Sequence, residues 1–166
     1  LEDHVARADM QAGTSVVVGG SIPYQNTALE QRQNNFENRA ELDPLNKCFL
    51  PGPTRIMAMP FPFQIFQNNE HVAITFEWTQ VYRLIYTAGQ EHRYPSFEFW
   101  MGGARGQWEG DTLVVEINDL NDRTWLDAAG NYHSFAATIT ERYTLVDENT
   151  IAYEATINDP EVFTEP

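Results

Sequence analysis

From His71 onward, apolar and polar residues alternate with a period of two, and no helical pattern interrupts the alternation. Successive side chains on a strand point to opposite faces, so this period marks strands with one buried face. In "HVAITFEW", Val72, Ile74, Phe76 and Trp78 face one way, and His71, Ala73, Thr75 and Glu77 the other. "VYRLIY" answers it across Thr79 and Gln80, which predicts a hairpin. "DTLVVEI" follows a tight turn at Glu109-Gly110, where glycine is free to take a positive φ. "ATITERYTLV" and "NTIAYEATI" predict a second hairpin around Asp147-Glu148-Asn149. About five to eight antiparallel strands are expected, curled into a lipocalin-like barrel or half-barrel. A β-sandwich is the alternative. Parallel α/β folds are excluded, because they need a helix between successive strands.

The sequence before His71 reads differently. Residues 1–22 form a polar arm broken by "SVVVGG", a short strand candidate stopped by two glycines. A helix is expected over 25–43, with Thr27 and Glu30 at capping-box spacing. Its apolar stripe, Leu29, Phe36 and Ala40, is thin, so the helix should lie on a surface. Pro44 ends it. Residues 44–66 carry Pro51, Pro53, Pro60 and Pro62, each of which removes a ladder donor. They read as an extended, aromatic-rich connection with one short strand near Thr54 to Met59. The antiparallel sheet occupies 70–158. At 166 residues the chain reads as a single β-rich domain, long enough to bury about 70% of its unfolded surface. It opens on Leu1, so it is expected to be part of a longer precursor.

The net charge of -14 argues against nucleic acid, which needs a basic stripe, and against anionic membrane surfaces. No apolar run approaches the ~18 residues of a membrane helix. Arginine supplies every basic residue except Lys47, and arginine suits planar pairing with carboxylates. Cys48 is the only cysteine, so no internal disulfide can form. Its apolar flanks favour an inert, buried thiol.

Charges set inside apolar alternation are the informative anomalies. Glu141 shares a face with Ile139, Tyr143 and Leu145, and Arg83 shares one with Val81 and Ile85. A buried carboxylate must be paired or neutralised. The two residues are therefore either a structural ion pair bridging strands or polar anchors of a ligand inside a barrel mouth. Trp100, Trp108, Trp125 and Tyr86 could wall such a pocket or simply fill the core. The loop "NDLNDRTWLDAAGN" offers Asp119, Asp122 and Asp127 as oxygen donors for calcium, although it fails the helix-loop-helix calcium template. Local turns closed by Asn and Asp side chains are the plainer reading. His133 could act as a base with Asp122 or Asp127. No metal-binding histidine pair, nucleophile elbow, phosphate loop or dinucleotide fingerprint occurs.

The stretch "FWMGGARGQWEGDTLVVEINDLNDRTWLDAAGNYHS" resembles a family of secreted bacterial proteins of unknown function. "KCFLPGPTRIMAMPFPFQI" upstream and "ERYTLVDENTIAYEATINDPEVFT" downstream share the likeness. Its members carry variants of G-x-W-E-G-D-T-L-V-V, N-D-x-T-W and G-x-x-H-S in this order. The resemblance implies an extracytoplasmic location, and a disulfide partner for Cys48 outside this chain. It transfers no activity. Within its motifs, Arg105, Asn121, Asp122, Trp125 and His133 lack an obvious structural task and are the expected site.

Three functions are expected, in order. The first is an exported barrel binding a small apolar, aromatic or sugar-like ligand. Trp100, Trp108, Trp125 and Tyr86 would be the walls, and Asn121, Arg83, Glu141 and Arg105 the polar contacts. The second is an acid–base isomerase, lyase or hydrolase with His133 as base, Asp122 orienting it and Arg105 stabilising negative charge. The third is an extracellular self-assembling protein, a homo-oligomer built through strand edges.

Overall fold

The computed structural model describes residues 21–89 and 97–166. "SVVVGG" lies outside them. Two compact units emerge. One contains the described residues up to Pro60, Asn121–Ala137 and Asn158–Pro166; the other contains Phe61–Leu120 and Thr138–Ile157.

The second unit is a mainly β structure, a seven-stranded sheet curled into a half-barrel. Its strands are β1 (Phe63–Gln67), β2 (His71–Phe76), β3 (Tyr82–Tyr86), β4 (Gly103–Glu109), β5 (Thr112–Asn118), β6 (Thr138–Asp147) and β7 (Thr150–Asn158), in that spatial order. Both expected hairpins form. β2 pairs antiparallel with β3, and β6 adjoins β7 across a turn at Glu148-Asn149. Gly110, at φ 61, turns β4 into β5. Val72, Ile74 and Phe76 face inward together, with Val81, Arg83 and Ile85 beside them. The inner face continues through Ala104, Val115, Ile117 and Ile139. Leu145, expected on that face, sits near the end of β6 and is exposed.

The sheet is mixed where an antiparallel one was expected. β3 and β4 run parallel, with Ile85 opposite Ala104 and Tyr86 opposite Arg105. A parallel pair needs a crossover of a dozen or more residues, and the stretch from Thr87 to Gly102 provides that length. A second correction concerns the proline-rich connection. Phe63–Gln67 within it is β1, the edge strand. Prolines precede this strand without interrupting it.

The first unit holds the helices α1 (Asn26–Glu37), α2 (Arg39–Leu42) and α3 (Pro53–Ala58), with a 3-10 turn at Pro44–Lys47. The early helix thus falls where expected, but its details differ. Gln25 is the N-cap and no side chain caps the helix, so the Thr27–Glu30 box does not form. The covered face is Ala28, Arg32 and Asn35, while Leu29 is exposed. α3 replaces the short strand expected near Thr54 to Met59. Its Pro53 occupies the first turn, where a missing N–H costs nothing and the fixed φ suits a helix. That start signal overrides the β-branched Thr54 and Ile56. Cys48, expected buried, is exposed at the end of the 3-10 turn with φ 59. No helix among the described residues is long and apolar enough to cross a membrane.

Candidate functional site

The inner face of the half-barrel carries one polar group of residues, and sequence patterning pointed to half of it. Glu141 is 0% exposed and Arg83 2%. Arg83 Nη1 donates to Glu141 Oε1 at 3.0 Å, and Nη2 donates to Oε2 in a second, shorter bond. Tyr153 Oη donates to Oε1 at 2.7 Å and Tyr143 Oη to Oε2 at 3.1 Å, so both carboxylate oxygens are shared between donors. Arg83 Nη1 also donates to Tyr143 Oη at 3.1 Å. The two tyrosine rings lie 5.1 Å apart.

The curl of the sheet makes this group. β3 and β6 are separated by two intervening strands, hence by three strand spacings of about 4.8 Å each. On a flat sheet the two side chains would stand roughly parallel and too far apart to bond.

Burial pushes the Tyr143 hydroxyl up, with Arg83 opposing and Glu141 adding to the shift. Burial and then Glu141 push Tyr153 up as well. Both phenols therefore keep their protons and stay donors. For Arg83, burial pulls down, but Glu141 and the tyrosines outweigh it, and the guanidinium is held charged. One polar atom is left over: the buried Nε–H of Arg83 has no partner among the described residues.

Trp108 shares this inner face. It follows Ala104 and Gly106 at alternate positions of β4, is opposite Leu113, and remains 47% exposed. Tyr86 and Arg105 point the other way. Arg105, opposite Tyr86 and Glu116, stands 4.6 Å from the Tyr86 ring centre and donates to the Ala104 carbonyl at 2.9 Å. Trp100 sits in the turn before β4, and Trp125 belongs to the other unit. The expected aromatic wall is thus divided, with Trp108 inside the half-barrel and Tyr86 outside it.

In the helical unit the expected catalytic loop forms a tightly bonded frame. His133 is 2% exposed, and both ring nitrogens are engaged. Nδ1 lies 3.0 Å from the Ser134 carbonyl, an acceptor, so Nδ1 carries the proton and Nε2 accepts from Thr124 Oγ1 at 2.8 Å. Burial lowers the pKa of the ring, against opposing contributions from the Ser134 carbonyl, Asp159 and Asp122. Asp122 is near enough to be felt, yet the bonds holding the ring come from Thr124 and Ser134. Asp159, which sequence reasoning passed over, receives Ser134 N at 2.6 Å and Ser134 Oγ at 2.8 Å. Its only sequence signal was an Asp before Pro160, an ordinary turn signature.

Asp127 closes its own turn, accepting from the backbone of Ala129 at 2.8 Å and the side chain of Asn131 at 2.6 Å. Burial raises its pKa, and those bonds oppose the shift. Asn121 accepts from Arg123 N in a similar turn. Asn131 Oδ1 in turn receives Tyr24 Oη at 2.7 Å and Arg32 Nε at 3.3 Å, which ties α1 to the loop. Asp119 lies in the sheet unit, apart in chain grouping from Asp122 and Asp127. Among the described residues no three His, Cys, Asp or Glu side chains converge as metal ligands would.

These features define two units, a half-barrel with a polar group on an apolar inner face and a helical unit knitted by buried side chains. Compared with protein-family models, curated proteins and solved structures, the chain matches none.

Proposed function

We propose that the half-barrel binds a small neutral ligand with an aromatic or sugar-like ring on its inner face. The observation that carries this reading is the lone Nε–H of Arg83. A buried donor without an acceptor costs about 1–3 kcal/mol. Every other side-chain nitrogen and oxygen of the Arg83–Glu141–Tyr143–Tyr153 group makes at least one hydrogen bond. An incoming hydroxyl, ether or carbonyl oxygen would satisfy it. Glu141 already neutralises the guanidinium, so a charged ligand gains nothing there. Trp108, half-exposed on the same face, offers a ring for stacking. The resemblance to secreted proteins supports reading this binding as one that occurs outside the cytoplasm.

Native mass spectrometry of protein isolated from its own source, without chelators, tests the reading. The expected spectrum shows the chain plus one small organic molecule. The Trp108→Ala variant should then weaken binding of that molecule at least about tenfold, the scale of a lost stacked ring. A bare chain, or an affinity unchanged by Trp108→Ala, would overturn the proposal.

A further inference from the structure

The outer edge of β1 points to a second binding mode, distinct from the inner face. β1 reads Phe-Gln-Ile-Phe-Gln, is exposed at all five positions and ends the sheet. Its ladder fixes which backbone groups are open. Glu77 N bonds the Pro62 carbonyl and Asn68 N bonds the His71 carbonyl. With the register Phe63↔Phe76 to Gln67↔Val72, bonded pairs must alternate, so Gln64 and Phe66 turn their N–H and C=O toward β2. Phe63, Ile65 and Gln67 turn theirs outward. Natural edges are shielded by lysine, proline, a bulge or an inward charge. β1 contains no charged residue and no proline.

We propose that this edge receives an extended peptide as an eighth strand, and that the peptide is basic at both ends. Carboxylates flank the strand at either end. Glu77 lies beside its start, through the bond to Pro62, and Glu70 lies in the turn beyond Gln67. Both are exposed. The described parts of β1, β2 and the turn between them hold no lysine or arginine. Five residues of strand span about 17 Å, so cationic side chains about six positions apart match the two carboxylates. Charge also selects against a second copy of this chain, which carries a net -14. Next to the edge, on the outer face, Phe66, Gln67, Asn68, His71, Ala73 and Leu84 line an open depression of about 260 Å³. Main-chain bonds supply affinity in such strand addition, and pockets for alternate side chains supply selectivity. This depression takes one apolar side chain of the guest.

The probe is the heptapeptide Lys-Thr-Val-Thr-Val-Thr-Lys, capped at both ends, compared with the same peptide ended in Glu. In titrations followed by amide NMR, the Lys-ended peptide should bind and shift the amides of Phe63, Ile65 and Gln67, while the Glu-ended one should not bind. Ile65→Pro removes an outward N–H without touching the β1–β2 ladder, and should abolish binding. The doubly reversed Glu70→Lys, Glu77→Lys variant keeps the fold independent of that proline. It should weaken the Lys-ended peptide about tenfold, as expected for two lost exposed ion pairs, and admit the Glu-ended one. Three results would each overturn the proposal. One is no binding of the Lys-ended peptide. Another is binding that neither variant changes. The last is an edge already occupied by a second copy, seen as a dimer in sedimentation with Ile65 and Gln67 amides protected from exchange.

Discussion

Glu141 must find a donor for each lone pair it can no longer offer to water, and it finds Arg83, Tyr143 and Tyr153. Replacing it with a group that cannot carry charge leaves the Arg83 guanidinium buried and unpaired. Glu141→Leu is therefore expected to cost about 3–5 kcal/mol, read from the urea midpoint. Adding Arg83→Met should restore much of that loss, because removing both charges also removes the penalty of burying them. A double variant no more stable than Glu141→Leu alone would mean the pair itself contributes. His133 makes a pH-dependent statement. Its folded-state pKa lies below its unfolded one because burial disfavours the charged ring. The unfolded chain then binds the extra proton, so this contribution is full above about pH 6.5 and declines as the pH falls below it. His133→Gln can keep both bonds but cannot titrate. Its urea midpoint should fall less than that of the parent chain between about pH 7.5 and 5, values that bracket the ordinary histidine pKa of about 6.5. Equal slopes would show that His133 is not the group responsible.

At the scale of elements, two glycines separate conformational need from crowding. Gly110 and Gly130 both have positive φ, at 61° and 84°. A Cβ at Gly110 would meet nothing within 4 Å, whereas one at Gly130 would lie 2.9 Å from Asn35 Cβ and from Phe36 N on α1. Gly110→Ala should cost about 1–2 kcal/mol, the usual left-handed penalty, and Gly130→Ala clearly more, by thermal unfolding. Equal costs would mean that α1 moves aside freely. Strands β2, β3, β5, β6 and β7 were legible because alternation reports burial directly, and it even exposed Arg83 and Glu141 as misfits. Tyr153 escaped notice because an uncharged tyrosine on a strand is no misfit in the pattern, although its partner Glu141 lies on the adjoining strand β6. β1 and α3 were misread for a related reason. Proline density suggested extended chain throughout, while Pro53 was acting as a helix start and β1 was an edge with no alternation of burial to display. The buried face of α1 is largely polar, Ala28 with Arg32 and Asn35, so an apolar stripe could not reveal it. In the loop, Asp127 resembled a ligand because turn closure and cation binding call for the same oxygen donors.

The whole molecule carries its -14 charge as a standing self-repulsion. Raising the ionic strength shortens the Debye length from about 30 Å at 0.01 M to about 8 Å at 0.15 M. The urea midpoint should rise over that interval, since the buried Arg83–Glu141 and Arg55–Asp43 pairs are shielded from salt. A falling midpoint would show that surface attractions outweigh the repulsion. The chain path has a further consequence. The helical unit draws on three separate stretches, one of which is the connection between β5 and β6. Neither unit is a continuous piece of sequence. A single cut in the gene therefore cannot release either one whole, and recombination can pass them on only together.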